Sequence, residues 1–247
     1  MDLAAYRESP PEQARINGLL AVLPGGRGSV LEVGARDGYI SRKLSARFES
    51  VTALDLELPA FGFERVIPVK GDVAALQFPD RSFDTVVCTE VLEHLDPAVL
   101  EKACREILRV ARYDIVIGVP YRQDLRLARS RCGFCGGKLP AWGHRSSFDE
   151  RRIRQLFHPA VPVSMTFISR RERTNALSAL LMDLGGNPWG AYDEGDPCFH
   201  CGTPFVHAAG RRALWQRVCS GAAARLDRVQ NALGPRRAAW VHVVFRR

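Results

Sequence analysis

The first 120 residues alternate short runs that are apolar at nearly every position with stretches whose apolar residues recur every third or fourth position. "SVLEVG" (29–34), "SVTALDL" (50–56), "RVIPVKGD" (65–72), "SFDTVVCT" (82–89) and "YDIVIGVP" (113–120) read as strands. "YISRKLSARF" (39–48) and "PAVLEKACREILRV" (97–110) read as helices, the second with Pro97 in its first turn, where a missing N–H leaves no bond unmade. Strands that are apolar throughout are buried on both faces, and their alternation with helices makes the sheet parallel. The pattern therefore predicts a doubly wound α/β sheet whose ligands sit at the carboxyl ends of the strands.

After residue 120 the rhythm breaks. Residues 121–147 are rich in Gly, Arg and Cys and lack periodicity, as do 184–205. Between and beyond them "FDERRIRQLF" (148–157) reads as helix, "VPVSMTFIS" (161–169) as strand, 211–233 as a helix stopped by Gly234 and Pro235, and 238–247 as a closing strand. The predicted division is a core over 1–120, insertions at 121–147 and 184–210, and completing segments at 148–183 and 211–247.

Composition adds little to this picture, because 46% hydrophobic and 25% charged residues in 247 are ordinary for a globular chain that buries a full core. No run approaches the roughly 18–20 apolar residues of a membrane span, and the first 20 residues lack the basic and then apolar regions of a secretory signal, so the expected location is the cytoplasm. Charge is more informative. Residues 1–125 hold 15 Lys and Arg against 19 Asp and Glu, a net −4, while 126–247 hold 20 against 8, a net +12. Such a basic half fits RNA or an anionic substrate. Against nucleic acid, 31 of the 35 basic residues are Arg scattered among Ala and Gly, which resembles base-composition bias more than a patch.

The turn after the first strand has the outline of a phosphate loop, but a dinucleotide fingerprint starting at Gly34 needs glycines where Arg36 and Tyr39 stand. The missing glycine at 36 is the one that lets a pyrophosphate lie against the backbone, which disfavours NAD and FAD. What remains is Glu32, Gly34, Asp37 and Gly38: a tight turn with acids beside it, suited to a ligand carrying positive charge, with Arg36 expected to point outward. Asp55 closes the second strand 21 residues after Gly34, where a carboxylate reaches ribose hydroxyls in nucleotide-binding sheets. Asp72 closes the third strand and Glu90 follows the fourth. Each acid alone reads as a solvated turn residue; all of them at matching strand ends read as a site.

Residues 29–120 resemble the core of class I S-adenosylmethionine-dependent methyltransferases of the broad type 11 kind, through "VLEVGARDG", "VTALDL", "GDVAALQFPDRSFDTVVCTEVLEHL" and "YDIVIGVP". The resemblance implies a seven-stranded Rossmann-like sheet, with 161–169 and 238–246 supplying its last two strands and the final one antiparallel. It also implies that Glu32, Gly34 and Gly38 shape the methionine and ribose pocket. Asp55 then takes the ribose hydroxyls, Leu56 packs on the adenine, Asp72 accepts from the adenine amino group beside Val73, and Glu90 lines the pocket. Arg36 departs from the family's usual glycine.

Four of the seven cysteines form two C-x-x-C pairs, "CGFC" (Cys132, Cys135) and "CFHC" (Cys198, Cys201), each followed by glycine. In a chain without a secretion signal such paired knuckles point to metal rather than a disulfide framework. Four thiolates fill a tetrahedral Zn2+ site and leave no open position, which marks a structural zinc, here pinning two insertions whose C-x-x-C pairs are separated by 62 residues. Redox-active or free thiols, and a zinc that takes part in substrate binding, are the alternatives. Cys88, Cys104 and Cys219 read as core residues. The insertions, with "VPYRQD", "WGHRSSFD", "RERTN" and "NPWG" in this order around the C-x-x-C pairs, resemble a subset of bacterial type-11-like methyltransferases.

Methyl transfer from a sulfonium needs mainly alignment, and a hydroxyl or amine acceptor also needs a base. Three residues are candidates for work on the acceptor: His94 just beyond the fourth strand, Tyr121 directly after the fifth, and His144 in the first insertion. The structural alternatives are a histidine that orders a loop for His94 and an insert-stabilising residue for His144. His158, His207 and His242 read as surface or packing residues. The expected function is methyl transfer to oxygen or nitrogen of a small molecule or glycoconjugate, with a structural zinc. An RNA methyltransferase and a non-catalytic binding scaffold are the alternatives, and oligomeric state is open.

Overall fold

The computed structural model describes residues 7–25, 28–170, 172–207, 211–234 and 237–247. In chain order the elements are α1 (Pro10–Val22), β1 (Ser29–Val33), α2 (Tyr39–Ser45), β2 (Ser50–Asp55), β3 (Val66–Lys70), β4 (Phe83–Thr89), α3 (Pro97–Val110) and β5 (Ala111–Pro120). They continue with β6 (Ser130–Arg131), β7 (Lys138–Leu139), α4 (Glu150–Leu156), β8 (Val161–Ile168), α5 (Ala176–Leu184), α6 (Leu214–Leu233) and β9 (Trp240–Arg246). These belong to two compact bodies. Among the described residues, one holds 7–122 with Phe148–Ser169 and Ala239–Arg247, and the other holds Gln123–Ser147 and those of Arg170–Ala238.

The first body is built on a seven-stranded sheet in the order β3-β2-β1-β4-β5-β9-β8. β1 to β5 run parallel, and β9 runs antiparallel to both of its neighbours, as the family resemblance implies for the final strand. Val30, Leu31, Val51, Ala53, Val86, Val87, Ile115 and Val116 are buried completely, which is what strands covered on both faces require. The register matters for the site: Val33 pairs with Leu54 and with Cys88, and Thr89 with Gly118, so the carboxyl ends of β1, β2, β4 and β5 form one edge. α3 keeps its predicted bounds because its ends are written in the sequence. Asp96 accepts from the Ala98 amide, Pro97 follows, and Leu100, Ala103, Cys104, Ile107 and Val110 form the buried stripe. α4 starts two residues later than its apolar pattern suggests, since Phe148 bridges to Tyr121 and Asp149 is the cap, accepting from the Arg152 amide. α1 has no clear apolar stripe, and the sequence pattern does not announce it.

The second body contains the β6–β7 hairpin, the knuckle loops, α5 and α6. Residues 170–183 and α6, which the sequence division assigns to the completing segments, belong here because α5 and α6 bury their inner faces on each other. Ser178 and Ala179 of α5 and Ser220 and Ala223 of α6 are buried, and a Cβ on Gly185 would come within 2.7 Å of the Ser220 Cβ. Asp227 ties the pair by accepting from Thr174 Oγ1 at 2.9 Å and from Ser178 Oγ at 2.5 Å.

Candidate active site and metal centre

The turn after β1 needs both of its glycines. Gly34 has φ 84° and donates to the Leu54 carbonyl at 2.8 Å, and a Cβ there would lie 2.3 Å from Val91 Cγ2. Gly38 has φ 77° and sits 2.7 Å, measured from an added Cβ, from the Phe61 ring. Arg36 between them also adopts the left-handed region, at φ 51°, with its side chain exposed as expected. Its contribution is its backbone. The Arg36 amide donates to Asp55 Oδ2 at 2.8 Å while the Leu56 amide donates to Oδ1 at 2.7 Å, so two N–H groups orient the Asp55 carboxylate at the end of β2.

The other acids gather along the same edge. Glu32 is 4% exposed and accepts from Ser41 Oγ. Burial pushes its carboxyl up to about 7; the Ser41 hydrogen bond opposes this, and the charges of Asp37 and Asp55 add to it. Asp37 is drawn below the usual carboxylate range, chiefly by its hydrogen bonds from Arg7, whose guanidinium also lies 4.3 Å over the Tyr39 ring. Asp72 is exposed and accepts from the Ala74 amide at 2.8 Å, with Val73 buried beside it and Leu56 67% exposed after Asp55. Glu90 has φ 57°, accepts from Trp240 Nε1 at 3.2 Å, and lies 4.0 Å from Arg15 of α1. Sequence reasoning missed Trp240 and Arg15. Trp240 reaches this edge because antiparallel β9 pairs it with Pro120, at the carboxyl end of β5.

Residues 31–114 match the family described as "Methyltransferase domain". The match begins inside β1 and covers the glycine turn, Asp55, Asp72 and Glu90. Over this stretch the chain is similar to methyltransferase domains. Among curated proteins, "Nodulation protein S" of Azorhizobium caulinodans is 32% identical over 121 residues, 44% of this chain and 58% of that protein. A "Ubiquinone biosynthesis O-methyltransferase" of Pseudomonas paraeruginosa is 31% identical over 93 residues, 33% of this chain and 40% of that protein. The chain thus spans about half the length of the curated relatives it matches. In fold, the N-methyltransferase NodS of Bradyrhizobium japonicum superposes with a TM-score of 0.56 at 16% identity, over 97% of this chain and 98% of that one. The Burkholderia thailandensis 1,6-didemethyltoxoflavin-N1-methyltransferase, solved with S-adenosylhomocysteine, does so with 0.56 at 16%, over 99% and 83%.

Beyond these acids stand the three candidates for work on the acceptor. His94 is exposed at the end of a short 3-10 turn, Leu92–His94, that follows β4. The Tyr121 phenol donates to Glu150 Oε1 at 2.5 Å, Arg122 donates to Glu150 Oε2 at 2.9 Å, and the Tyr121 ring stands edge-on to Phe167. Burial, then Glu150, raises the Tyr121 pKa, so this side chain stays a phenol at neutral pH. His144, in the second body, is buried, with Nδ1 2.5 Å from Gln123 Oε1.

The four knuckle cysteines come together. All four Sγ atoms lie within 4.8 Å of one another, and Cys135 Sγ and Cys198 Sγ are 3.8 Å apart, far beyond a bonded disulfide. The two knuckles share one construction. Gly136 and Gly202, each following its second cysteine, take φ of 70° and 72° and donate to the carbonyls of Cys132 and Cys198. The amides of Gly137 and His200 donate to Cys135 Sγ and Cys198 Sγ, each at 3.4 Å. Cys132 and Cys198 are buried with Leu139, Tyr192 and Phe205, while Cys135 and Cys201 face outward. His200 Nε2 is 2.9 Å from the Lys138 carbonyl rather than in the sulfur cluster. Cys88 and Cys104 are buried as expected, and Cys219 is half-buried on α6.

Two buried groups set opposite pH dependences. Glu32 titrates near 4.5 in the unfolded chain and near 7 when folded, so stability present below 4.5 is lost as pH rises to 7. His242 of β9 is fully buried, in space left by Gly118. Burial first, and then the Arg15 charge, push its pKa from 6.5 to about 4, so stability present above 6.5 is lost as pH falls. Each contribution amounts to ~3 kcal/mol. The Glu32→Gln variant is therefore expected to gain on the parent by that order as pH rises from 4.5 to 7, measured by denaturant unfolding. A parent-to-variant difference that stays flat over this window contradicts the assignment.

Proposed function

We propose that this chain transfers a methyl group from S-adenosylmethionine to a hydroxyl or amine of a small molecule or glycoconjugate, and that its four-cysteine cluster holds a structural zinc ion. The observation that carries the first part is the set of carboxylates, Glu32, Asp55, Asp72 and Glu90, at or just past the ends of β1 to β4 around a turn whose position 36 is not glycine. Carboxylates gathered on one edge, where the charges of Asp37 and Asp55 raise the Glu32 pKa, make a negative site that favours a cationic ligand and repels a phosphate. When bound, S-adenosylmethionine supplies a methyl group on a positively charged sulfur. Asp55, held by the Arg36 and Leu56 amides, is assigned to the ribose hydroxyls, and Leu56 and Val73 to the faces of the adenine. Asp72 accepts from the adenine amino group. Glu32 and Glu90 line the methionine end, Glu90 kept in place by the Trp240 indole. Gly34 and Gly38 let the turn close at positive φ against Val91 and the Phe61 ring, which shapes the floor of the pocket.

His94, exposed on the loop after β4, is assigned as the base that takes the acceptor's proton. Tyr121, held as a hydrogen-bond donor to Glu150, lines the acceptor pocket rather than acting as a base. His144, engaged with Gln123, fits a stabilising role in its own body. The names of the relatives, which include N- and O-methyltransferases, support nitrogen or oxygen as acceptor. The zinc reading is supported by geometry: a tetrahedron with arms of about 2.3 Å has edges of about 3.8 Å, the separation of Cys135 and Cys198 Sγ. Reduced thiolates also suit the cytoplasm.

The test is incubation of the protein with a cell extract and methyl-labelled S-adenosylmethionine. Label is expected in a small or glycosylated acceptor that survives ribonuclease. The net +12 of residues 126–247 favours RNA as the second reading, and label lost on ribonuclease treatment would establish it instead. Absence of S-adenosylmethionine binding by calorimetry, with a folded and zinc-loaded sample, leaves the scaffold reading.

A further inference from the structure

Leu214, Trp215, Val218, Leu226, Val229 and Leu233 of α6 are between 38% and 83% exposed. At the helical repeat they fall within an arc of about 120°. The opposite side of α6 carries the buried Ser220 and Ala223 and packs on α5. Exposed arginines, Arg217, Arg225 and Arg228, border or interrupt the apolar arc. Residues 211–237 contain seven arginines and a single acid, Asp227, which is turned inward onto Thr174 and Ser178. The outward face of this 20-residue helix thus combines a long apolar stripe with charge of one sign only.

That combination discriminates among occupants. Two copies of this face set against each other would bring arginine against arginine with no carboxylate between them, which opposes self-association. RNA would use the arginines and leave the leucines and valines in water. A convex helix with an apolar arc, an interfacial tryptophan and arginines beside it matches an anionic lipid surface, with the arc in the acyl boundary and the guanidinium groups on headgroup phosphates. On α5, Leu177, Leu180 and Leu184 extend the exposed apolar area of the same body. Among the described residues no helix is long and apolar enough to cross a membrane, so such attachment is peripheral. We infer that α6 is a docking element for anionic lipid bilayers, independently of whether the chain transfers methyl groups.

Sedimentation of the full chain with vesicles tests this, using phosphatidylcholine alone and phosphatidylcholine mixed with phosphatidylglycerol. The bound fraction is expected to rise by about tenfold or more with the anionic lipid and to fall with added salt. The triple variant Leu214→Ser, Val218→Ser, Val229→Ser is expected to return to the neutral-vesicle level. The double variant Arg217→Gln, Arg225→Gln is expected to lose most of the anionic preference. These side chains are exposed, so thermal melts should overlay with the parent, and Val218→Ser alone serves if the triple variant melts early. Failure to sediment with anionic vesicles overturns the inference, as does equal binding by the serine variants. So does a dimer in solution that the serine variants dissociate, or RNA binding that depends on the arginines and not on the apolar residues.

Discussion

Replacing Cys198 with serine is expected to strip the metal from the protein and to unfold the second body while the sheet persists. The basis is the size of the core around the knuckles: Leu139, Tyr192 and Phe205 are the buried apolar partners of Cys132 and Cys198, too few to hold two irregular loops by burial alone. On the proposed zinc reading, the four thiolates and their metal supply the missing free energy, since structural zinc contributes ~10 kcal/mol or more to small domains that fold around it. Elemental analysis of the purified protein should give about one equivalent of zinc. Cys198→Ser, or a strong chelator, should remove it, lower stability by at least ~3 kcal/mol, and expose the region around 184–205 to protease. Cys219→Ser, on α6 and outside the cluster, is the control and should keep the metal. Zinc well below one equivalent, with all four knuckle thiols open to modification, contradicts the assignment.

Asp55→Ala is expected to weaken S-adenosylmethionine binding at least tenfold, and of the order of a hundredfold if both ribose hydroxyls bond to the carboxylate, at ~1.5 kcal/mol for each charge-assisted bond. The carboxylate is already oriented by the Arg36 and Leu56 amides, so little ordering cost opposes these bonds. Asp72→Ala, which removes a single acceptor, should cost roughly tenfold or less. Calorimetric titration of folded variants separates the cases. An unchanged affinity in Asp55→Ala contradicts the placement of the ribose.

The strands and helices of the sheet were legible because each carries a local cause. β1, β2 and β4 are apolar on both faces, and α3 has a cap, a proline and a stripe that agree with one another. The acids at the strand ends were legible for the same reason, as parallel strands of similar length place their last residues together. α1 and α5 were not, because α1 has only a weak stripe and α5 is a short run whose packing partner lies some 40 residues on. Nor was the division that places α5 and α6 with the knuckle loops.

The sequence by itself determined the parallel core of the sheet, the glycine turn with its four acids, and the two matched knuckles, while the direction of the last strand followed from the family resemblance. Only the tertiary structure decided what Arg36 does, since its role is a backbone donation across to Asp55 rather than a side-chain property. It alone brought Trp240 to Glu90, a contact between residues 150 positions apart. It alone brought Cys135 to within 3.8 Å of Cys198. The reason is physical: local pattern sets conformation, whereas register and loop closure set which distant side chains meet, and those depend on the packing of the whole chain.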